Sequence, residues 1–359
     1  MKKSLVVLFI LMSVCSCSNT NSNNNSNNTS STNSISSKKE EGYYTVKFDL
    51  NYDVVDDTYK NVVIFSGQSL KEPEEPNRRD YVFNGWYLEE ECQNKFDKFG
   101  QEINDNITLY ASWFEYSELK DYEKIDKFVD KLGNYIGKVS KTKIEEEGIE
   151  RYYSPVDQAF GFYQNVEYNR YKDITTADYY DENGNKYASQ QYFYDDVSFY
   201  NIYNDIEGEG KDNEKKVAPF SLLNVDSFLS IDFITLFCDL LDVISTQIKN
   251  GHSYDEMDYG FDFNYTYLNQ YEVNYSFSID YYTYLETEDL GAVEEVYMME
   301  YGLTFINGML NKSIVTQQFM MGIQGEVQFA IEDTIRAEYE ITDEYSKFTG
   351  DKFDPSDFN

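Results

Sequence analysis

The sequence predicts an α+β protein. A small sheet module precedes a larger domain whose curved antiparallel sheet is covered by helices. Three observations carry this expectation. Met257, Tyr259, Phe261, Phe263, Tyr265 and Tyr267 alternate with polar residues, as do Tyr271 to Tyr281 and Val327 to Ile341. A period of two is the mark of strands with one apolar and one wet face. Leu119, Tyr122, Ile125, Phe128, Val129 and Leu132 recur at three- and four-residue steps, the period of a helix with one apolar stripe. Further upstream, Tyr81, Phe83, Trp86 and Tyr87 crowd around Gly85, a separate aromatic centre for the small module.

Composition bounds the rest. Hydrophobic residues make up 41% of the 359, with 35 Tyr and 25 Phe, enough for two cores. The formal charge of −35 repels phosphate backbones, so nucleic acid is excluded as a partner. Unaided adsorption to an anionic membrane is disfavoured for the same reason. Of the four cysteines, Cys15 and Cys17 fall in the leader, and Cys92 and Cys238 are too few for a disulfide framework.

The chain opens with Lys2 and Lys3 and an apolar run from Leu5 to Met12. That run is shorter than the roughly 20 residues a bilayer span requires, so 1–16 reads as a secretion signal. The closing residues Val14-Cys15-Ser16-Cys17 resemble the bacterial lipobox. The resemblance implies that Cys17 becomes the first mature residue and carries a diacylglycerol anchor, attaching the chain to the extracytoplasmic face of a membrane. Residues 17–42 form the anchor and tether. Every residue of 18–37 except Ile35 is Ser, Thr or Asn, a composition with nothing to bury and therefore expected to stay disordered. As a flexible coil, 18–42 spans about 25–30 Å.

Residues 43–113 form the small module. Tyr44, Val46 and Phe48 alternate as a strand, and Val62 to Phe65 make another. Gly67 marks a turn, Pro73 and Pro76 favour extended backbone ahead of them, and Ile107, Leu109 and Ala111 alternate before Trp113. A module of about 70 residues has a poor surface-to-volume ratio, and each Trp, Tyr or Phe buries about 150–250 Å². The aromatics around Gly85 are therefore core, and Gly85 is expected to let an indole lie flat against the backbone. The arrangement Val46-x-Phe48-Asp49, Gly67-x-x-Leu70-x-x-Pro73-x-x-Pro76, Tyr81-x-Phe83-x-Gly85-Trp86-Tyr87, Phe96-Asp97 and Thr108-Leu109-Tyr110-Ala111-x-Trp113 resembles the Listeria–Bacteroides, or internalin B-type, repeat. That resemblance implies a β-grasp module of bacterial surface proteins, used for spacing or adhesion, with no catalytic residues to carry over. The chain departs from it at Tyr52-Asp53, where the family usually has Gly-Gly, and at Asp80, where it usually has Gly; both bear on turns.

Residues 114–359 form the larger domain, with a helix over 116–136, strands over 137–204, helices over 219–249 and strands over 256–345. Asn183-Gly184 and Asn307-Gly308 are hairpin signals. Strands of 11–15 residues extend about 36–50 Å, and so long a sheet is expected to curl. The helix–strands–helix–strands order resembles the half-barrel of outer-membrane lipoprotein carriers and mycobacterial lipid-carrier lipoproteins. That resemblance implies a cavity for acyl chains or other apolar ligands, lined by Phe261, Phe263, Phe277 and Ile279. A packed core there favours a protein that engages its partner by its surface.

Catalytic chemistry is hard to find. His252 is the only histidine, which removes His-rich metal sites and most triads. Asp181 to Lys186 offers oxygen ligands, but its glycine comes too early for a calcium loop. Cys238 lies on an apolar helix and Cys92 among acids that disfavour a thiolate. No Gly-rich phosphate loop is present, and no metal or cofactor is implied. The expectation is a membrane-anchored, non-enzymatic adhesion, presentation or partner-binding protein of the cell surface, the alternative being a lipid carrier. A protein or a glycan is the partner class, with Tyr180 and Tyr282 as the exposed tyrosines to inspect for sugars.

Overall fold

The computed structural model describes residues 42–53, 59, 61–135, 137–153, 157–194, 198–206, 215–219, 233–252, 259–287, 291–352 and 354. The leader, Cys17 and the tether lie outside them. The described residues are nearly all β: 58% strand and 11% helix, in two sheets with two α-helices. The expected α+β fold with a helix-covered sheet is therefore corrected. The physical reason is that hairpin after hairpin adds a strand to one sheet, so strands outnumber helices throughout the larger part.

The small sheet has the order β2-β1-β4-β3, from β1 (Tyr43–Asp49), β2 (Val62–Phe65), β3 (Tyr81–Tyr87) and β4 (Ile107–Glu115). Its central pair, β1 and β4, is parallel, with Val46 opposite Ile107. Val46, Ile64, Leu70, Trp86, Phe96, Leu109 and Ala111 form one buried cluster. Trp86, only 1% exposed, meets Phe48 edge-on at 4.9 Å and Phe83 at 5.4 Å. Trp113 donates from its indole nitrogen to the Leu50 carbonyl at 2.8 Å. Gly85 departs from expectation. Its φ is +115° at a β-bulge, and a Cβ there would meet the Lys95 side chain at 2.7 Å rather than an indole.

A 3₁₀ turn at Tyr116–Glu118 leads into helix α1 (Asp121–Gly133). Glu123 reaches back to the Lys120 amide at 2.9 Å, satisfying one of the unpaired donors at the helix start. The second helix, α2 (Phe233–Lys249), packs on α1. Ser245 and Lys249 of α2 both donate to the Asp126 carboxylate of α1.

The large sheet has the order β10-β9-β8-β7-β6-β5-β15-β14-β13-β12-β11, all antiparallel. Its strands are β5 (Val139–Tyr152), β6 (Gln158–Arg170), β7 (Ile174–Tyr180), β8 (Lys186–Tyr194), β9 (Ser198–Asp205), β10 (Lys215–Pro219), β11 (Tyr259–Asn269), β12 (Glu272–Thr287), β13 (Gly291–Ile306), β14 (Met309–Ile323) and β15 (Glu326–Ile341). Pro219, expected to open a helix, instead closes the edge strand β10, opposite Ser198. An edge is where a sheet tolerates a residue lacking an N–H. The β13–β14 turn uses Asn307 at φ +51° and Gly308 at φ +77°, the left-handed pair that a two-residue hairpin requires. The first strand of the domain, β5, pairs with the last, β15, and so joins the two meanders into one sheet. One buried cluster combines Ile125, Phe128 and Leu132 of α1 with Leu241 and Ile244 of α2 and strand residues such as Val166, Phe277 and Tyr339.

Candidate functional site

The four residues expected to line an apolar cavity sit on the face of the sheet that carries the helices. Phe261, Phe277 and Ile279 are buried and Phe263 is half-buried. The Phe263 ring meets Phe128 of α1 at 5.3 Å, and Phe277 stacks on Tyr301 at 4.5 Å. Phe128 also stacks on Tyr275 at 4.5 Å. These side chains are engaged with one another and with helix α1 as core.

A cleft of about 950 Å³ runs along the joint between the small and large sheets. Lys71, Lys95, Lys127, Lys131 and Lys138 line it, with an equal number of acids in Glu72, Glu74, Glu75, Asp130 and Asp343. Burial, and then the nearby Lys95 ammonium, pull the Lys127 pKa down, while burial followed by Glu75 pushes Glu72 up. Lys131, 6% exposed, forms an ion pair with Glu75, and its ammonium lies 4.9 Å above the Phe305 ring. Asn77 donates to the Gln270 carbonyl and Tyr265 to that of Arg78, each at 3.4 Å. Balanced charge and cross-links of this kind describe a joint that fixes the repeat on the large sheet.

Away from the helices, the same face of the large sheet carries two acids, Asp333 buried and Glu146 half-buried. Glu146 of β5 is opposite Ile335, and Asp333 of β15 is opposite Gly148. Gln317 donates to one Asp333 carboxylate oxygen at 2.8 Å, and the other oxygen is buried without a partner. Burial, and then the Asp333 charge, push Glu146 up to about 7; burial pushes Asp333 up to about 6. Sequence reasoning missed both acids. Glu146 stands between Glu145 and Glu147, and only the strand register turns the middle one toward the buried face. Gly148 fits beside them because a Cβ would meet the Phe162 ring at 2.5 Å and the Glu332 carbonyl at 2.6 Å.

The remaining candidates are structural. Asp181 accepts from the amides of Asn183 and Asn185 at 2.9 and 2.8 Å, so its carboxylate closes its own turn. His252 is exposed, its ring Nδ1 3.2 Å from the Gln247 carbonyl. Cys238 is buried and Cys92 half-buried. Tyr282 is exposed, whereas Tyr180 is half-buried, its hydroxyl raised by burial and then by Asp178. Among the described residues, no group of three or more His, Cys, Asp or Glu side chains is placed to hold a metal ion. No described helix is long and apolar enough to cross a membrane.

Residues 44–112 match the Listeria-Bacteroides repeat domain, a domain of surface-protein type. No curated protein matches the chain. Among solved structures, that of the ywiB protein from Bacillus subtilis is similar at 10% identity, over 58% of this chain and 97% of that one, with a TM-score of 0.16.

Proposed function

We propose that this chain is a lipid-anchored protein of the bacterial cell envelope, which holds a binding surface outside the membrane and performs no catalysis. The repeat at 44–112 is the observation that carries the proposal. Its joint to the large sheet adds support. Lys131 with Glu75, Tyr265 with Arg78 and Asn77 with Gln270 make the repeat and the larger part present one surface rather than two independently tethered beads. The lipobox-like Val14 to Cys17 and the Ser/Asn-rich tether supply the anchor, because diacylation of one cysteine is sufficient for stable attachment where a single acyl chain is marginal. A tether of about 25–30 Å lifts a strongly acidic body away from an anionic bilayer.

Radiolabelled palmitate fed to expressing cells tests the anchor. The label is expected on the wild-type chain and absent from Cys17→Ala, which should leave the membrane fraction. Protease added to intact cells is expected to cleave the wild-type chain. Label persisting in Cys17→Ala, or full protection from protease, would overturn the proposal.

A further inference from the structure

Six aromatic rings form a continuous row across six adjacent strands, on the helix-bearing face but beyond the part the helices pack against. Tyr281 of β12 is opposite Tyr297 of β13, which is opposite Phe319 of β14. Their ring centroids are 5.8 and 4.5 Å apart. Phe319 meets Phe329 of β15 at 6.0 Å, Phe329 meets Tyr152 of β5 at 4.9 Å, and Tyr152 meets Phe160 of β6 at 6.1 Å. With strands about 4.8 Å apart, the row extends roughly 24 Å. Its ends are open: Phe160 is 53%, Tyr152 40% and Tyr281 36% exposed. Cross-strand pairing accounts for the half-buried middle of the row. It does not account for a line of rings left open to water at both ends, which is the kind of patch that marks an interaction site.

We propose that this row binds a neutral polysaccharide chain, laid across the strands with its sugar faces on the rings. The inference rests on the surface-protein proposal and names its partner. The polar groups beside the row select the ligand. Tyr297 donates to Glu295 at 3.4 Å, Thr283 donates to the same carboxylate at 3.3 Å, and Tyr152 donates to Glu150 at 3.2 Å. On the inner side lie Gln317 and Asp333, the latter with its unpartnered oxygen. Among the described residues of β5 and β15, Arg151 and Arg336 alternate onto the opposite face, where they pair with Glu332 and Glu147. The flanks therefore accept hydrogen bonds and carry negative charge. An acyl chain or an apolar protein surface would strip water from those carboxylates and offer no further donors, which is costly. Stacked bases would suit the rings, but their phosphates, like uronate or sulfate groups, meet both these acids and a net charge of −35. A pyranose offers what remains: a C–H face for the ring and hydroxyls that donate to the carboxylates beside it. A row open at both ends suits the interior of a chain better than a terminal sugar.

Native affinity electrophoresis of the full chain, through gels containing hydroxyethylcellulose, galactomannan, laminarin or polygalacturonate, tests the proposal. At least one of the three neutral polymers should retard the protein, and polygalacturonate should not. Phe160→Ala and Tyr281→Ala, at opposite ends of the row, should each weaken retardation about tenfold, the scale of one lost aromatic contact. Tyr43→Ala, in the exposed part of the repeat, should leave it unchanged. Circular dichroism and Tm establish that the variants are folded. No retardation by any neutral polymer, retardation equal in all variants, or preference for polygalacturonate would overturn the polysaccharide site. So would a dimer in sedimentation that Phe160→Ala disperses, since the row would then be a contact between copies. These outcomes leave palmitate labelling and surface protease cleavage untouched, so failure here is distinct from failure of the anchoring proposal.

Discussion

The Tyr135 hydroxyl, just past the end of helix α1, donates to the Gly308 carbonyl at 2.6 Å. It thereby holds the tip of the β13–β14 hairpin against the strap that leads into β3. Gly308 faces that strap so closely that a Cβ on it would meet the Glu75 carbonyl oxygen at 2.6 Å and its amide nitrogen at 2.8 Å. Burial, with Glu75 second, raises the Tyr135 pKa, so the phenol remains a donor even at alkaline pH.

Gly308 should therefore be far less replaceable than Gly325, although both are left-handed hairpin glycines, at φ +77° and +81°. Gly325 has open space where a Cβ would go, so Gly325→Ala carries only the left-handed penalty, about 1 kcal/mol. Gly308→Ala adds a backbone collision and should cost about 2–4 kcal/mol. Urea denaturation measures both. It should be accompanied by new proteolytic cleavage between the repeat and α1 in Gly308→Ala alone.

The Lys131–Glu75 pair supplies a second test of the joint. Lys131 is buried while Glu75 keeps partial access to water, so removing the lysine leaves a carboxylate only partly stranded. Lys131→Met should cost about 1–3 kcal/mol, below the range for fully buried pairs. Adding Glu75→Gln should recover part of that loss, because no uncompensated charge then remains. A double-mutant cycle in urea checks this; a loss unchanged by the second substitution would mean that lysine packing, not charge, is what matters.

Which parts were legible in the sequence follows from the range of the interactions. The long strands were legible because apolar and polar residues alternate over Tyr259 to Tyr267, Tyr271 to Tyr281 and, with a break at Asp333, Val327 to Ile341, and the Asn307-Gly308 turn because its conformation is local. The pairing of β5 with β15 was not, since it joins Tyr152 to Phe329 and no local pattern records a distant partner. The α+β expectation failed for that reason: apolar helices were visible, but the single eleven-stranded sheet that outweighs them was not. Tyr282 was singled out for sugars while its neighbour Tyr281 occupies the row, a difference of one residue and therefore of one face. Gly85 was assigned to an indole but lies under Lys95, a contact made by a residue ten positions on.

Asp80 marks a departure from the repeat pattern that the structure explains. It sits at φ +63°, a conformation in which glycine is relaxed and aspartate only tolerated. Its carbonyl accepts from the Tyr116 amide at 2.9 Å, which ties the turn to the 3₁₀ segment before α1. Asp80→Gly should keep that bond and stabilise the protein by about 0.5–1 kcal/mol, read as a higher urea midpoint with unchanged slope. A lower midpoint would show that the carboxylate itself holds the turn.

The last prediction concerns pH and turns on Glu146 and Asp333. Both have folded-state values, about 7 and about 6, raised above their ordinary 4.5 and 3.8. Burial is the first cause in each, and Asp333 adds to Glu146. The folded protein therefore binds more protons than the unfolded chain between pH 4 and 7, and linkage makes stability fall as pH rises through that window. The stabilisation is fully present below about pH 4 and lost above about pH 7. For the two groups together the loss should be about 2–4 kcal/mol, allowing for partial solvent access at Glu146. Urea midpoints measured from pH 4 to pH 8 should decline for the wild type. They should decline much less for Glu146→Gln with Asp333→Asn, whose neutral amides fill the same space. The double variant should then be the more stable protein at pH 8 and little different at pH 4. A wild-type slope retained in the double variant would move the effect to other carboxylates, and a slope of opposite sign would mean that neither acid is buried as the structure has it.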